Sequence, residues 1–222
     1  MKKLFFILIF ATFFHIDVFA ADCSSVASNP TVTVFYSFGH LIYDNTKQVS
    51  EITSMAKKFN LVESGIFAEG LATADINFDI SMTSTAQPID IGEFCVVPSQ
   101  INIFLGISKP TIYLANTLQK GSCKYNVVLR HEKTHQQINK TALEYYLPIF
   151  KAAVTKLSQQ ITPTYITNTN QIESTTRILT ENLNAKITPL VDFIKKEIAT
   201  EQFKLDNKEN YKYEGLLCKG KL

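Results

Sequence analysis

Two histidines stand four residues apart in the segment HEKTH, and a glutamate directly follows the first of them. In an α-helix this spacing corresponds to about 400° of rotation, so His131 and His135 project from one face and can direct ring nitrogens at a single cation. Glu132 lies about 100° further round the helix, where its carboxylate can reach a water bound to that cation. Neutral imidazole is a good ligand for Zn²⁺, which lowers the pKa of a bound water to about 7. The spacing therefore predicts a hydrolytic zinc site with Glu132 as its general base.

The neighbouring residues favour an inward-facing site. Val128 and Ile138 share the helix face of His131 and His135, so both imidazoles are expected to point into the protein. His40 lies in a predicted strand or turn, and we expect it to be an ordinary histidine rather than a ligand.

HEKTH matches the HExxH sequence of zinc metallopeptidases, and the segment 101–139 resembles the zincin fold. In that fold an edge strand lines the substrate cleft beside the HExxH helix, and the resemblance assigns this place to 111–115. The blocks GSCKYNVVLRHEKTHQQIN and LDNKENY are also similar to those of exported bacterial proteins described as metallopeptidases. The resemblance implies a zinc-dependent hydrolase whose substrates are peptides or proteins.

A catalytic zinc site usually has three protein ligands, and the sequence leaves the third open. HExxHxxGxxH is absent, so a carboxylate is required, as in the gluzincin and aspzincin groups. Glu144 would lie about 13 Å along a continuous helix and on its opposite side, which excludes it. If the two long helical segments pack antiparallel, Glu197 and Glu201 come level with the histidines, and Glu201 is the predicted third ligand. Asp206 is the other candidate, although capping of the last helix together with Glu209 is a competing role.

A donor that stabilises the oxyanion is also expected at such a site. Five tyrosines are chemically able to serve, and the sequence selects none of them: Tyr145, Tyr146, Tyr165, Tyr211 and Tyr213. The chain has neither a phosphate-binding glycine loop nor a GxSxG motif, so it offers no competing catalytic pattern of those kinds.

The first half of the chain predicts a small mixed or antiparallel sheet with one helix. β-Branched residues or strict alternation mark four strands: 31–36, 74–82, 101–107 and 111–115. Ser108, Lys109 and Pro110 are typical of a short connection between the last two. The helix is predicted over about 46–59, with Asp44 or Asn45 as its cap.

The second half of the chain is helical in pattern. One helix is predicted over about 123–140, with a continuation to about 158 that bends near Pro148. Another covers about 169–204, with a break at Pro189, and a short last helix starts within 206–209. Strands followed by helices predict an α+β fold.

The N-terminus has the layout of a secretory signal peptide. A basic start precedes an apolar run over 4–14, which is too short for a membrane span, and Ala20 or Ala21 offers a cleavage site. We expect residues 1–20 to be removed and 21–222 to form a single zincin-like domain. The predicted location is secreted or periplasmic, without stable membrane insertion.

Charge and cysteine content agree with export. The chain has a net charge of +2, and such a near-neutral surface gives no reason to expect nucleic acid as a partner. Its four cysteines, an even number, predict two disulfides with three possible pairings: Cys23, Cys95, Cys123 and Cys218.

Two other functions fit the same residues. One is a non-catalytic envelope protein in which HEKTH is an incidental or relic feature. The other is a peptidoglycan amide hydrolase that uses the same zinc chemistry. Metal content separates the first from a hydrolase, and the choice of substrate separates the second from a peptidase.

Overall fold

Two strands of 21 and 22 residues form the centre of the structure. The computed structural model describes residues 22–59 and 67–219, so the predicted signal peptide lies outside the described residues. The elements follow the chain in the order β1 (Thr31–Ser37), β2 (Ile42–Asp44), α1 (Val49–Lys58), β3 (Gly70–Asp90), β4 (Glu93–Leu114), α2 (Cys123–Gln159), β5 (Thr164–Ile166), a 3₁₀ turn (Thr169–Gln171), α3 (Ile172–Leu205) and α4 (Lys208–Leu217).

Strand β4 is the central strand of a mixed sheet. Along one edge it pairs antiparallel with β3 over almost its whole length. Along the other edge it pairs in succession with β5, β1 and β2, of which β1 and β2 run parallel to it. A mixed sheet followed by long helices confirms the predicted α+β class.

The predicted connection at Ser108–Pro110 is wrong. β4 continues through these residues, and the irregularity appears as a positive φ of 48° at Lys109 and a register shift between Thr73 and Asp75 on β3. The long partner strand explains the continuity, because hydrogen bonds to β3 on both sides of Lys109 hold the chain extended. The predicted strand 74–82 is the middle of β3.

Helices α2 and α3 cover one face of the sheet. The alternation of β3 turns Ile76 and Phe78 toward these helices, while Asn77 and Asp79 face solvent. Helix α1 packs beside Leu71 instead, in a separate apolar cluster. Its N-cap is Gln48, in a capping box with Glu51, and not the predicted Asp44 or Asn45, which precede the helix by a further turn.

Neither proline interrupts its helix. α2 continues through Pro148 and α3 through Pro189, although a bend and a break were predicted there. Both prolines are exposed, so water can hydrogen-bond the carbonyl that each leaves unpaired. Within residues 22–59 and 67–219, no helix is both long and apolar enough to cross a membrane.

The two long helices pack antiparallel, the arrangement assumed in choosing Glu201. Gln202 on α3 donates to Asn139 on α2 at 2.7 Å, and Tyr146 donates to Glu197 at 3.4 Å. This register places the chain near residues 206–211, rather than Glu201, level with the HEKTH segment.

Two disulfides join the chain ends to the body, which confirms the predicted number of bridges. Cys23 is bonded to Cys95 on β4, and Cys123 at the start of α2 is bonded to Cys218 just after α4. Two disulfides are typical of proteins from oxidising compartments.

Replacing Cys23 and Cys95 together by serine should lower the free energy of unfolding by about 4 kcal/mol, because the bridge closes a loop of about 72 residues in the unfolded chain. Urea unfolding of the two oxidised proteins measures the difference. A loss below about 1 kcal/mol would show that the bridge does not constrain the unfolded state.

Candidate metal centre

The first turns of α2 place HEKTH against the sheet. The Ser122 side chain caps the helix by accepting a hydrogen bond from the Tyr125 amide at 3.1 Å. One turn later, Val128 and Leu129 pack into the apolar cluster of Ile112. This anchoring buries the functional face of the helix. The residues concerned are exposed by only 5%, 6% and 9%: His131, Glu132 and His135.

Three ligand-type atoms meet beside this face. The Nε2 atoms of His131 and His135 are 3.1 Å apart, and each lies 3.1 Å from Oδ1 of Asp206. The three atoms thus form a nearly equilateral triangle, to which α2 contributes two corners and the residue following α3 contributes the third.

The hydrogen bonds behind His131 set the protonation of its ring. Nδ1 of His131 lies 3.0 Å from Oε2 of Glu214, and a carboxylate oxygen accepts hydrogen bonds. Nδ1 must therefore carry the proton, so the neutral ring directs the Nε2 lone pair at the triangle. Glu214 also forms an ion pair with Arg130 at 3.7 Å, which fixes the carboxylate from its other side.

His135 has the same tautomer for a different reason. The Gln202 amide nitrogen donates to the His135 carbonyl at 3.0 Å and to Asn139 at 2.7 Å. Its amide oxygen therefore faces Nδ1 of His135 and accepts a proton from it. In the neutral form, the Nε2 lone pair of this ring also points at the triangle.

Three lone-pair-bearing atoms thus converge within a buried space. Without a positive charge between them, the two imidazole nitrogens and the carboxylate oxygen repel one another. Burial alone would lower the pKa of both imidazoles, but the hydrogen bond to Asp206 and the charges of nearby carboxylates such as Glu132 together outweigh it and raise the pKa of each ring. Protons or a metal ion can supply the missing positive charge.

Asp206 is held in its ionised form. Burial would raise its pKa, but hydrogen bonds from the protonated rings of His131 and His135 and from Tyr211 hold the pKa well below the usual range of an aspartate. The Tyr211 hydroxyl donates to Oδ1 at 2.5 Å, and its ring stacks on His131 with centroids 5.3 Å apart. Burial and the neighbouring Asp206 carboxylate raise the pKa of Tyr211, so the phenol remains a donor.

Glu132 lies next to the triangle but is not one of its three corners. Its carboxylate accepts a hydrogen bond from the Ala72 amide of β3, and burial raises its pKa to about 7. Its side chain passes so close to Gly70 that a Cβ on that glycine would lie 2.5 Å from Oε1 of Glu132. The start of β3 therefore sets the position of this carboxylate.

The third corner of the triangle is Asp206, not the predicted Glu201. Glu201 is exposed and pairs with Lys204, while Glu197 accepts from Tyr146 farther along α3. The cap of α4 is Asn207, whose side chain accepts from the Asn210 amide, so the predicted capping role of Asp206 is wrong.

Most of the other candidate residues lie away from the triangle. Of the five tyrosines, Tyr211 alone reaches it. Glu144 pairs with Lys140 on the exposed side of α2, as its exclusion required, and His40 is exposed. Sequence reasoning missed Gln202 and Glu214, because residues that contact the histidine rings from distant parts of the chain show no motif of their own.

The segment 111–115 packs near the HEKTH helix, as predicted, and Gln136 donates to the Thr111 carbonyl at 3.2 Å, but the edge strand at this level is β3. That segment is the end of β4, which lies inside the sheet between β2 and β3. The Ala115 amide donates to the Glu69 carbonyl at 2.8 Å. Because antiparallel strands alternate, the backbone groups of Gly70 and Ala72 then point away from β4, toward Glu132.

Two cavities meet at the metal centre, and both include Gly70, His131, Glu132, Asp206 and Tyr211. The first, of about 380 Å³, is here called the apolar pocket; its further lining includes Ala56, Phe59, Leu71, Ala199 and Phe203. The second, of about 950 Å³, is called the basic pocket; its further lining includes Lys124, Lys208, Lys212, Glu214, Gly215 and Lys219. The centre is thus open to ligands from two sides.

Opening the bridge between Cys123 and Cys218 should weaken metal binding by about 10- to 100-fold, as loss of an outer-shell partner does. α4 has no buried residue of its own, so the bridge is a main restraint on Glu214. Isothermal titration with Zn²⁺ would compare the double serine variant with the wild-type protein.

The matched control is the double serine variant of Cys23 and Cys95, whose bridge lies away from the centre on β4. This variant should lose stability and keep its metal affinity. Equal affinity losses in both variants would show that general destabilisation, and not the position of α4, weakens the site.

The candidate metal centre is assembled from three parts of the chain. α2 supplies two imidazoles and Glu132, the end of α3 supplies Asp206, and α4 supplies two supporting side chains. Across residues 22–59 and 67–219, this is the one group of His, Cys, Asp or Glu whose ligand atoms lie close enough to hold a metal ion. Comparisons with protein-family models, with curated proteins and with solved structures give no match to this chain.

Proposed function

We propose that the protein is an exported zinc-dependent hydrolase, and that its substrates are peptides or proteins. The convergence of two Nε2 lone pairs and one carboxylate oxygen at mutual distances of 3.1 Å carries the proposal. Such a set is suited to one metal ion, and the adjacent buried Glu132 supplies a base.

The types of the three donor atoms and the distances between them favour Zn²⁺. Two imidazoles and one carboxylate leave a fourth position for water or substrate, as in catalytic zinc sites. A tetrahedral ion with bonds of about 2.0 Å holds its ligands about 3.3 Å apart, close to the observed spacing. Mg²⁺ and Ca²⁺ prefer sites built from oxygen, so two nitrogen ligands argue against them.

Each residue near the ion would have a separate task. When bound, the ion would supply a water of lowered pKa and polarise the substrate carbonyl. Glu132 would accept a proton from the attacking water and pass it to the leaving amine. Tyr211 and Glu214 would hold Asp206 and His131 in position.

A peptide substrate is favoured by the strand beside the centre. The backbone groups of Gly70 and the Ala72 carbonyl point away from β4 toward the cleft, where an extended peptide can pair with a strand edge, while the Ala72 amide already donates to Glu132. A strand edge next to a helix bearing HExxH is also what a zincin-like architecture requires. The pairing would hold the scissile carbonyl close to Glu132.

Metal content and peptide cleavage test the proposal together. Protein purified without added metal should contain about one zinc per chain, and cleave a mixed peptide library detected by mass spectrometry. A chelator should stop cleavage, and added Zn²⁺ should restore it. His131→Ala should lose both properties, whereas His40→Ala, which changes an exposed histidine, should keep both.

The alternatives give different results in the same experiment. An oxidised, folded protein that takes up no zinc would contradict the proposal and favour a non-catalytic envelope protein. Cleavage of peptidoglycan fragments but of no peptide would keep the zinc chemistry and overturn the peptide substrate.

Gly70→Ala should reduce turnover by at least about 10-fold while zinc content is unchanged, because displacement of a general base removes much of its contribution. The new Cβ would lie 2.5 Å from Oε1 and 2.8 Å from Cγ of Glu132, so that side chain must shift. Zinc analysis and kcat would be measured on the same preparation. An unchanged kcat would show that the position of Glu132 is not critical.

A further inference from the structure

The rim of the basic pocket carries four lysines, three of them on α2 and α4 and the fourth just after α4. Lys124 belongs to the first turn of α2, while Lys208 and Lys212 lie one turn apart on α4, and Lys219 follows that helix. All four are exposed, so their charges can meet a ligand without a large loss of hydration.

The carboxylates of the same pocket are already engaged. Glu69 pairs with Lys124 at 2.6 Å, and Glu214 contacts both His131 and Arg130. Asp206 belongs to the metal centre, and Glu132 accepts from the Ala72 amide. These acids keep their charges, but their contacts are with other groups of the pocket and not with Lys208, Lys212 or Lys219.

Three lysines remain to set the charge of the rim. Within the part of the chain that the structure describes, Lys208, Lys212 and Lys219 form no ion pair with any carboxylate. A divalent ion at the centre would add further positive charge to the same space. The four lysines and four carboxylates of the lining balance one another, so a bound divalent ion would make the pocket net positive, and the exposed rim presents its lysines to a ligand that enters.

The two pockets differ in chemistry and share the reactive centre. A peptide lying across Glu132 would place residues on one side of the scissile bond in the apolar pocket and those on the other side in the basic pocket. We propose that the basic pocket selects a carboxylate of the peptide, while the apolar pocket accepts small or apolar residues. This inference rests on the proposed function, which supplies the peptide ligand, the bound ion and the position of the scissile bond.

Gly215 is a position from which a larger side chain can occupy part of the same pocket. It lies within α4, where glycine is unfavourable by about 1 kcal/mol relative to alanine, and a Cβ built on it would meet no atom within 4 Å. A large side chain at this position would project into the basic pocket without a clash in the helix. Gly215→Phe therefore blocks the pocket by volume, independently of charge.

Peptide binding to the zinc-loaded Glu132→Gln protein tests the proposal without turnover. Fluorescence anisotropy would compare three labelled, amidated peptides that share an alanine-rich half and carry three Glu, three Ser or three Lys in the other half. A fourth peptide, neutral but with a free C-terminus, separates a terminal carboxylate from side-chain carboxylates as the group bound.

The Glu peptide should bind about 10-fold more tightly than the Ser peptide, and the Lys peptide more weakly than both, as expected for several exposed ion pairs. Lys208→Glu with Lys212→Glu should invert this order, and Gly215→Phe should weaken the binding of the Glu peptide. If the free C-terminus alone gives the gain, a terminal carboxylate is the selected group.

The matched control is Lys151→Glu with Lys156→Glu, which changes the net charge equally at exposed positions near the far end of α2. Equal binding of the Glu and Lys peptides, or the same inversion in the control, would overturn the basic pocket as the selecting site. Because binding is measured without turnover, selective binding without cleavage by wild-type protein would refute hydrolysis alone. Cleavage without charge preference would refute this inference alone.

Discussion

The Asp206→Asn protein is expected to bind Zn²⁺ at least about 100-fold more weakly than the wild-type protein, since loss of an outer-shell partner alone reduces affinity by about 10- to 100-fold. Asparagine keeps the shape of the side chain and removes the negative charge that faces both Nε2 atoms at 3.1 Å. Competition with a chromophoric chelator measures the affinity. Thermal unfolding gives a second measure, because added Zn²⁺ should raise the Tm of the wild-type protein only.

Two matched variants identify the ligand. Glu201→Gln removes the carboxylate that sequence reasoning favoured, and Asp192→Asn removes an exposed carboxylate on the same helix. Both proteins should retain the affinity of the wild type. A large loss in Glu201→Gln together with a small loss in Asp206→Asn would show that the chain rearranges around the ion and that Asp206 is not the third ligand.

Glu132→Gln should reduce kcat by about 100- to 10,000-fold, the range that a general base contributes, while zinc remains bound. The amide is nearly isosteric with the buried carboxyl and cannot accept the proton of the attacking water. Peptide cleavage is followed by mass spectrometry, with zinc content measured on the same sample.

Glu144→Gln is the matched control on the same helix. Glu144 is exposed and pairs with Lys140 one turn away, so its loss should change neither zinc content nor kcat. Full activity in Glu132→Gln would remove Glu132 from the mechanism and point to another base. Loss of zinc in this variant would instead show that Glu132 supports the metal site itself.

The local periodicity of the sequence was sufficient to predict part of the structure. The alternation around Ile76 and Phe78 correctly predicted a half-buried strand, and helical spacing correctly oriented His131 and His135 inward. Prolines misled the prediction, because Pro148 and Pro189 are exposed and their helices continue past them. A proline leaves one helix carbonyl without its backbone partner. The sequence pattern of a single helix does not show whether water or protein surrounds that carbonyl.

The order of the strands in the sheet could not be predicted from the sequence, for a related reason. The strand next to Glu132 is β3 because β2 occupies the other edge of β4 at that level. Such pairings join residues about seventy positions apart in sequence, and no local pattern specifies which edge remains open.

The sequence by itself determined the two imidazoles and the neighbouring carboxylate, because residues four apart on one helix share a face whatever the rest of the chain does. Only the tertiary structure decided that Asp206 completes the triangle and that Glu214 and Gln202 orient the rings. Those contacts depend on how far α3 extends along α2 and on the turn of the chain before α4. Packing of whole helices sets both, and a displacement of one helical turn would have brought a different carboxylate to the same place.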